Sequence, residues 1–168
     1  MSGGDRVASG GEELPALPEA PEPVRAAILD WLERFSACVR DVDYRAAYPF
    51  WHPRILAFGT VQAVVEGLEP FRDRQWDSVW PRTSDFRFRL DAARVLAGAD
   101  ASLAVAIAPF TSTGYAPDGT PFDRPGRTTL ALVPNAGPGE RWVAVHSHMS
   151  LARGVPADSH GTRPVKAR

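Results

Sequence analysis

The hydrophobic period of this chain changes from helical to two after Pro81, and that change constrains the fold more than any other feature. Before it, Ile28, Leu29, Trp31, Leu32, Phe35 and Val39 recur at helical spacing, with Asp30, Glu33, Arg34 and Arg40 largely between them. After it, Phe86, Phe88 and Leu90 alternate with Arg87, Arg89 and Asp91, the period of a half-buried strand. Helices first and strands second is the order of an α+β domain, in which helices pack on one face of an antiparallel sheet.

Within this plan the helix opened by Pro23 is succeeded by a shorter one from about Tyr44 to Phe50, with Asp43 as its N-cap. Pro53 ends the helical stretch, and 55–60 reads as a strand. A third helix is predicted over 68–79, with Phe71, Gln75, Trp76, Val79 and Trp80 on its apolar side. Beyond Pro81, Leu103, Val105 and Ile107 alternate with alanines, so that strand is expected to be buried on both faces. Residues 114–126 carry Pro117-Asp118-Gly119, Pro121 and Pro125, the chemistry of a loop long enough to cover a pocket mouth. Two further strands are expected over 127–133 and 141–150. A twisted sheet folded over helices in this way forms a cone with a cavity at its open end.

Residues 1–23 are rich in Gly, Pro, Glu and Ala and are expected to form a disordered leader. Residues 154–168 are expected to form a disordered tail, leaving one domain over 24–153. A formal net charge of -1 argues against nucleic acid or an anionic membrane as partner. No apolar stretch approaches the ~20 residues of a membrane helix, and 1–23 lacks a signal-peptide core, so a cytoplasmic location is expected. The single cysteine, Cys38, lies on the helical pattern among apolar neighbours and reads as a buried structural thiol.

On the last strand, regular alternation places Trp142, Ala144, His146, His148 and Ser150 in one row, and Val143, Val145, Ser147 and Met149 in the other. Two imidazoles and a hydroxyl on one face can bind an anion, relay a proton or hold a metal. They can equally be hydrogen-bonded groups at a sheet edge or dimer interface. Either histidine could serve as general acid or base, since imidazole titrates near neutral pH. His52 could add a third nitrogen, but no sequence-local carboxylate completes a metal site, so neither metal nor cofactor is expected. Arg127, at the start of the adjacent strand, could hold a carboxylate, with Thr129 on the same face. Among the aromatic residues Trp31, Tyr44, Tyr48, Phe50, Trp51, Phe58, Trp76 and Trp80, most will form core, and Tyr48 and Trp80 are the expected cavity liners. Phe58, His52 and Ser150 complete the candidate ligand-binding set.

Three passages carry a family resemblance. They are His52-Pro53-Arg54-Ile55-Leu56-Ala57-Phe58-Gly59-Thr60 with Glu66-Gly67, the strand Arg127-Thr128-Thr129-Leu130-Ala131-Leu132-Val133, and Arg141-Trp142-Val143-Ala144-Val145-His146-Ser147-His148-Met149-Ser150. In this order and spacing, the region from Val24 to Leu151 resembles the SnoaL-like branch of the nuclear transport factor 2-like superfamily. The resemblance implies a curved, mainly antiparallel mixed sheet wrapped on N-terminal helices, a conical pocket and a homodimer. It also implies an arginine near the position of Arg127 facing the cavity. The superfamily holds ketosteroid isomerase-like enzymes, polyketide cyclases, dehydratases, the kinase association domain and ligand-binding domains. The expectation is therefore a small-molecule domain with possible acid/base isomerisation, cyclisation or dehydration of a carbonyl compound. The alternative is a non-catalytic ligand-binding or oligomerisation module. The closing His-x-His-x-Ser resembles the end of the kinase association domain. It is also similar to the His-rich motif of iota-type carbonic anhydrases, which leaves a metal-independent hydratase as a more distant alternative. Two departures stand against isomerase chemistry: Arg54 occupies a place where an acidic residue is frequent, and no aspartate is placed as a general base.

Overall fold

Helix α1 (Glu22–Asp41) opens the fold, with Pro23 in its first turn, where a missing N–H leaves no helical bond unmade. The computed structural model describes residues 15–60 and 64–166, so residues 1–14 of the expected leader lie outside the described residues. Ile28, Trp31, Leu32, Phe35 and Val39 are buried along one side of α1. The helix ends at Val42, a left-handed residue with φ 53°, where the Val42 and Asp43 N–H groups donate back to the Val39 and Cys38 carbonyls. Asp43 then caps α2 (Tyr44–Ala47), its carboxylate accepting the Ala46 N–H at 2.9 Å. A 3-10 turn, Tyr48–Phe50, leads into β1 (Trp51–Phe58), and β2 (Val65–Glu66) pairs with it.

The third helix is not continuous. It consists of α3 (Leu68–Phe71), a π turn (Arg72–Trp76), α4 (Asp77–Val79) and a 3-10 turn (Trp80–Arg82). A π turn carries one residue more than an α turn and rotates the side chains beyond it. Here Gln75, Trp76 and Trp80 are all buried. Trp76 and Trp80 stack with ring centroids 4.4 Å apart.

The remaining strands are β3 (Ser84–Phe88), β4 (Arg94–Ala97), β5 (Ala104–Tyr115), β6 (Pro121–Asp123), β7 (Gly126–Pro134) and β8 (Trp142–Leu151). All the strands form one sheet in the order β2-β1-β8-β7-β5-β3, with β4 and β6 also paired to β5. Every pairing is antiparallel except β1 with β8. This is the mixed α+β sheet on N-terminal helices expected from the order of the periods.

The helices cover only one face of the sheet, which corrects the reading of β5. Ala104, Ala106 and Ala108 are buried on the inward face, while Ile107 on the opposite face is 42% exposed and Leu103, just before the strand, 44%. The small residues of this strand face in, and the large apolar residues Leu103 and Ile107 face out.

The 114–126 stretch also differs from the expected loop. β5 continues to Tyr115, and β6 folds back on it through a turn at 116–120. Gly114 lets the Phe122 ring lie over the strand, since a Cβ there would come 2.4 Å from the ring and push it aside.

The tail expected to be disordered runs along the body over residues 152–166. Ser159 Oγ accepts the Tyr115 N–H at 2.9 Å and donates to the Arg82 carbonyl. Arg163 donates to the carbonyls of Val39, Arg40 and Trp80. The tail adds little apolar surface, so a count of large side chains missed it; polar bonds to helix-end carbonyls hold it. No helix among the described residues is long and apolar enough to cross a membrane.

Candidate functional site

Regular alternation fails on β8 at one residue. Leu132 of β7 stands opposite Ala144 and Ala131 opposite His146, so Val145 has no partner on β7. An extra residue of this kind is a β-bulge, and it exchanges the two faces for everything beyond it. Trp142 and Ala144 are buried, as are Ser147 and, in part, Met149, whereas His146, His148 and Ser150 point to the face away from the helices. The expected single row of Trp142, Ala144, His146, His148 and Ser150 is thus broken after Ala144, and neither histidine lines the interior.

The outer face carries two cross-strand rows. Leu56, His146, Ala131 and Val105 form one, and Phe58, His148, Thr129 and Ile107 the other. His146 Nδ1 lies 2.9 Å from the Leu56 carbonyl oxygen. Arg127 donates from Nε to Ser150 Oγ at 3.0 Å. Arg127, Thr129, His148 and Ser150 meet in a shallow groove of about 220 Å3 with Ile107 and Pro109. Four candidates from sequence are therefore neighbours in space, on the outside of the cone.

Tyr48 and His52 lie in a different hollow, beside Glu69 and Val143. The Tyr48 hydroxyl accepts from Arg72 at 2.5 Å, and burial raises its pKa. His52 Nδ1 accepts the Arg54 N–H at 3.1 Å. Among the described residues no group of three or more His, Cys, Asp or Glu side chains is placed to hold a metal ion.

The interior of the cone holds a separate cavity, and of the nine candidates only Trp80 lines it. Its walls are Phe35 of α1, Trp51 of β1, Phe71, Trp76 and Trp80 of the broken helix, and Phe86 and Phe110 of the sheet. About 40 Å3 is open to the centre of a water, enough for a few waters or one small polar group. Its polar lining is Thr60, Gln75, Thr83, Ser112 and Arg124. Gln75 donates to Thr60 Oγ1 at 3.1 Å, while its amide oxygen is buried without a donor among the described residues.

Arg124 is the residue that sequence reasoning missed. It lies just past β6, and its backbone is fixed to β5 by two bonds: its N–H donates to the Ser112 carbonyl at 2.8 Å, and its carbonyl accepts Ser112 Oγ–H at 3.0 Å. The residue is 3% exposed. Its Nη2 donates to the Ala157 carbonyl at 3.3 Å, and its Nε has no acceptor among the described residues. Burial lowers its pKa. The only sequence signal is an arginine between Pro121 and Pro125, in a stretch with the chemistry of a loop.

Beyond Arg124 the cavity adjoins a polar vestibule lined by Ser78, Arg82, Ala157, Asp158 and Ser159. Val79, Thr83 and Arg124 belong to both spaces.

Solved structures similar to this chain share its fold at low identity. A nuclear transport factor 2-like superfamily protein from Salmonella enterica superposes with a TM-score of 0.66 at 18% identity, covering 84% of this chain and 100% of that one. The S. rosetta CaMKII hub gives 0.64 at 21% identity, covering 83% and 100%. The association domain of C. elegans CaMKII gives 0.60 at 16%, covering 77% and 96%. No curated protein matches the sequence. The model of the SnoaL-like domain matches residues 24–154, most of the chain, and this protein belongs to the SnoaL-like domain family.

Proposed function

We propose that this protein is a small-molecule-binding module whose ligand sits in the aromatic cavity inside the cone. The observation that carries this reading is the makeup of the cavity wall. It is built from seven aromatic residues and a few polar ones, and the described lining contains no His, Asp, Glu or Cys. Such a wall binds by burial and a few directed bonds. A general acid or base must come within about 3 Å of the proton it moves, directly or through one water. His146 and His148 face away from this space, so their geometry supports binding over acid/base isomerisation, cyclisation or dehydration within it.

The test is calorimetric titration with the small aromatic probes benzoate and benzamide. Saturable one-site binding of either is expected. It should disappear in Val79→Phe, which fills the cavity from its wall. Absence of binding by both, or binding unchanged in V79F, would overturn the reading.

A second reading, self-association, is favoured by a different observation. The outer sheet face exposes Leu56 to 49% and Phe58 to 37% on β1 and Ile107 to 42% on β5, with His148 and Thr129 between Phe58 and Ile107. Two of the similar solved structures are named as a hub and an association domain. A homodimer packed through this face would cover the groove that holds Arg127, Thr129, His148 and Ser150. Sedimentation should show a dimer that dissociates in Phe58→Asp. A wild type still monomeric at about 100 micromolar, roughly a hundredfold above a micromolar dissociation constant, would remove this reading.

A further inference from the structure

We infer that Arg124 is an anion receptor and that the ligand of the inner cavity is a small monocarboxylate with an apolar, preferably planar, body. This rests on the cavity being a binding site and adds the class of ligand.

A buried guanidinium needs partners, because desolvating a charge is costly unless it is paired or hydrogen-bonded. The other well-held arginines of this chain have them. Arg34 is paired with Glu140 and Asp30, and Arg72 with Glu69 and Asp73. Arg163 donates to three backbone carbonyls through its Nη atoms, although its Nε, like that of Arg124, has no acceptor among the described residues. Arg124 is more deeply buried, has no ion pair among the described residues, and makes one long side-chain bond to a neutral carbonyl. It lies between an aromatic chamber and a polar vestibule, which is where the head group of a ligand entering apolar end first would come to rest.

The fork of a guanidinium matches a carboxylate with two parallel bonds. The free Nε is one donor, and Nη2 becomes the other when it leaves the Ala157 carbonyl. As it stands the cavity holds only a few waters, so a ligand must be small and the wall must yield to it, and Arg124 is the one charged residue of the described lining, with Arg82 and Asp158 in the adjoining vestibule. Both favour a small monoanion over a polyanion. Met149, an unbranched and partly exposed wall residue, can move aside for a ring.

The test compares benzoate with benzamide, which has nearly the same shape and no charge. Benzoate should bind at least tenfold more tightly to the wild type, and Arg124→Met should abolish that preference. A readout without ligand separates a receptor from a structural residue. Removing an unpaired buried charge should raise the Tm of R124M by about 2–4 °C, whereas loss of a structural bond would lower it. Arg124→Lys keeps the charge but not the fork and should retain folding with a reduced preference.

Equal affinity for benzoate and benzamide, or a preference that survives in R124M, overturns the receptor and leaves the binding module standing. Failure of both probes to bind removes both readings. A lower Tm in R124M, or failure of both variants to fold, overturns the receptor, because it would show that Arg124 holds the structure.

Discussion

His148 is paired with Phe58 across the parallel β1–β8 ladder, and its imidazole lies 5.3 Å from the phenyl ring on the face turned away from the helices. The neighbouring pair, His146 with Leu56, sits on the same face. The motif that most invites a catalytic reading therefore belongs to the exterior of the sheet.

This placement predicts that the histidines and the cavity are separable. His146→Ala and His148→Ala should each leave the affinity of a cavity ligand within about twofold. His148→Ala, at an exposed site, should change stability by no more than about 0.5 kcal/mol. His146→Ala should cost about 1 kcal/mol through the lost bond to the Leu56 carbonyl. Calorimetric titration and urea melts check both. A tenfold loss of cavity binding in either variant would show that the rings communicate with the interior.

The bulge at Val145 yields a sharper prediction. Deleting Val145 leaves Ala144, His146 and Ser147 in consecutive positions opposite Leu132, Ala131 and Leu130, a regular ladder with both histidines still outside. The deletion variant should fold, keep His146 and His148 reactive toward diethylpyrocarbonate, and lose about 1–3 kcal/mol. The cost would arise because a bulge bends its strand, and removing it disturbs the packing of Trp142 and Ala144 in the core. Protection of the two rings in the deletion variant would show that the face assignment is wrong.

The same residue marks the limit of what could be read beforehand. The helical stripe of α1, the Asp43 cap and the switch to period two after Pro81 arise from local chemistry and were legible, whereas the short strands β2, β4 and β6 were not. A bulge is not local. Whether Val145 is an extra residue depends on the register of β7, and nothing in Val143-Ala144-Val145-His146 announces it. One unpaired residue moved the histidine row from the inside to the outside. Trp80 lines the cavity while Tyr48, the other expected liner, lies in a different hollow, and both precede a proline, so no local signal separates them. Arg124 was not legible, since an arginine among prolines reads as solvated until β6 closes over it. Leu103 and Ile107 were misread because hydrophobicity signals that a face is covered without showing what covers it.

The ordered C-terminal stretch should contribute measurably to stability. Arg163, itself partly buried, donates to the carbonyls of Val39 and Arg40 at the end of α1 and of Trp80. Hydrogen bonds from a charged donor are worth about 1.5–3 kcal/mol. Arg163→Ala should therefore lower the unfolding free energy by about 2 kcal/mol. The exposed pair Lys166–Asp41 should matter far less in Lys166→Ala. Urea titration of the two variants checks the ranking, and equal losses would contradict it.

Cys38 supplies a pH dependence with a definite sign. Burial, and next the Asp43 carboxylate, push its thiol up to about 11 from an ordinary 9.0. The reactive species is the thiolate, so at pH 8 the folded protein should react with iodoacetamide roughly a hundredfold more slowly than the same chain in denaturing urea. Linkage gives the direction for stability. Between the two values the unfolded chain has released the thiol proton while the native chain still holds it, so unfolding releases a proton and stability falls as pH rises. The contribution is intact below about pH 9, is lost progressively towards pH 11 and is constant above that. Other groups titrate in this range, so the relevant quantity is the difference between wild type and Cys38→Ala at each pH. That difference should shift against the wild type by at most about 2–3 kcal/mol across the window. A difference independent of pH, or thiol reactivity equal to that of the unfolded chain, would place Cys38 in contact with water, contrary to its position beneath the Val42 turn.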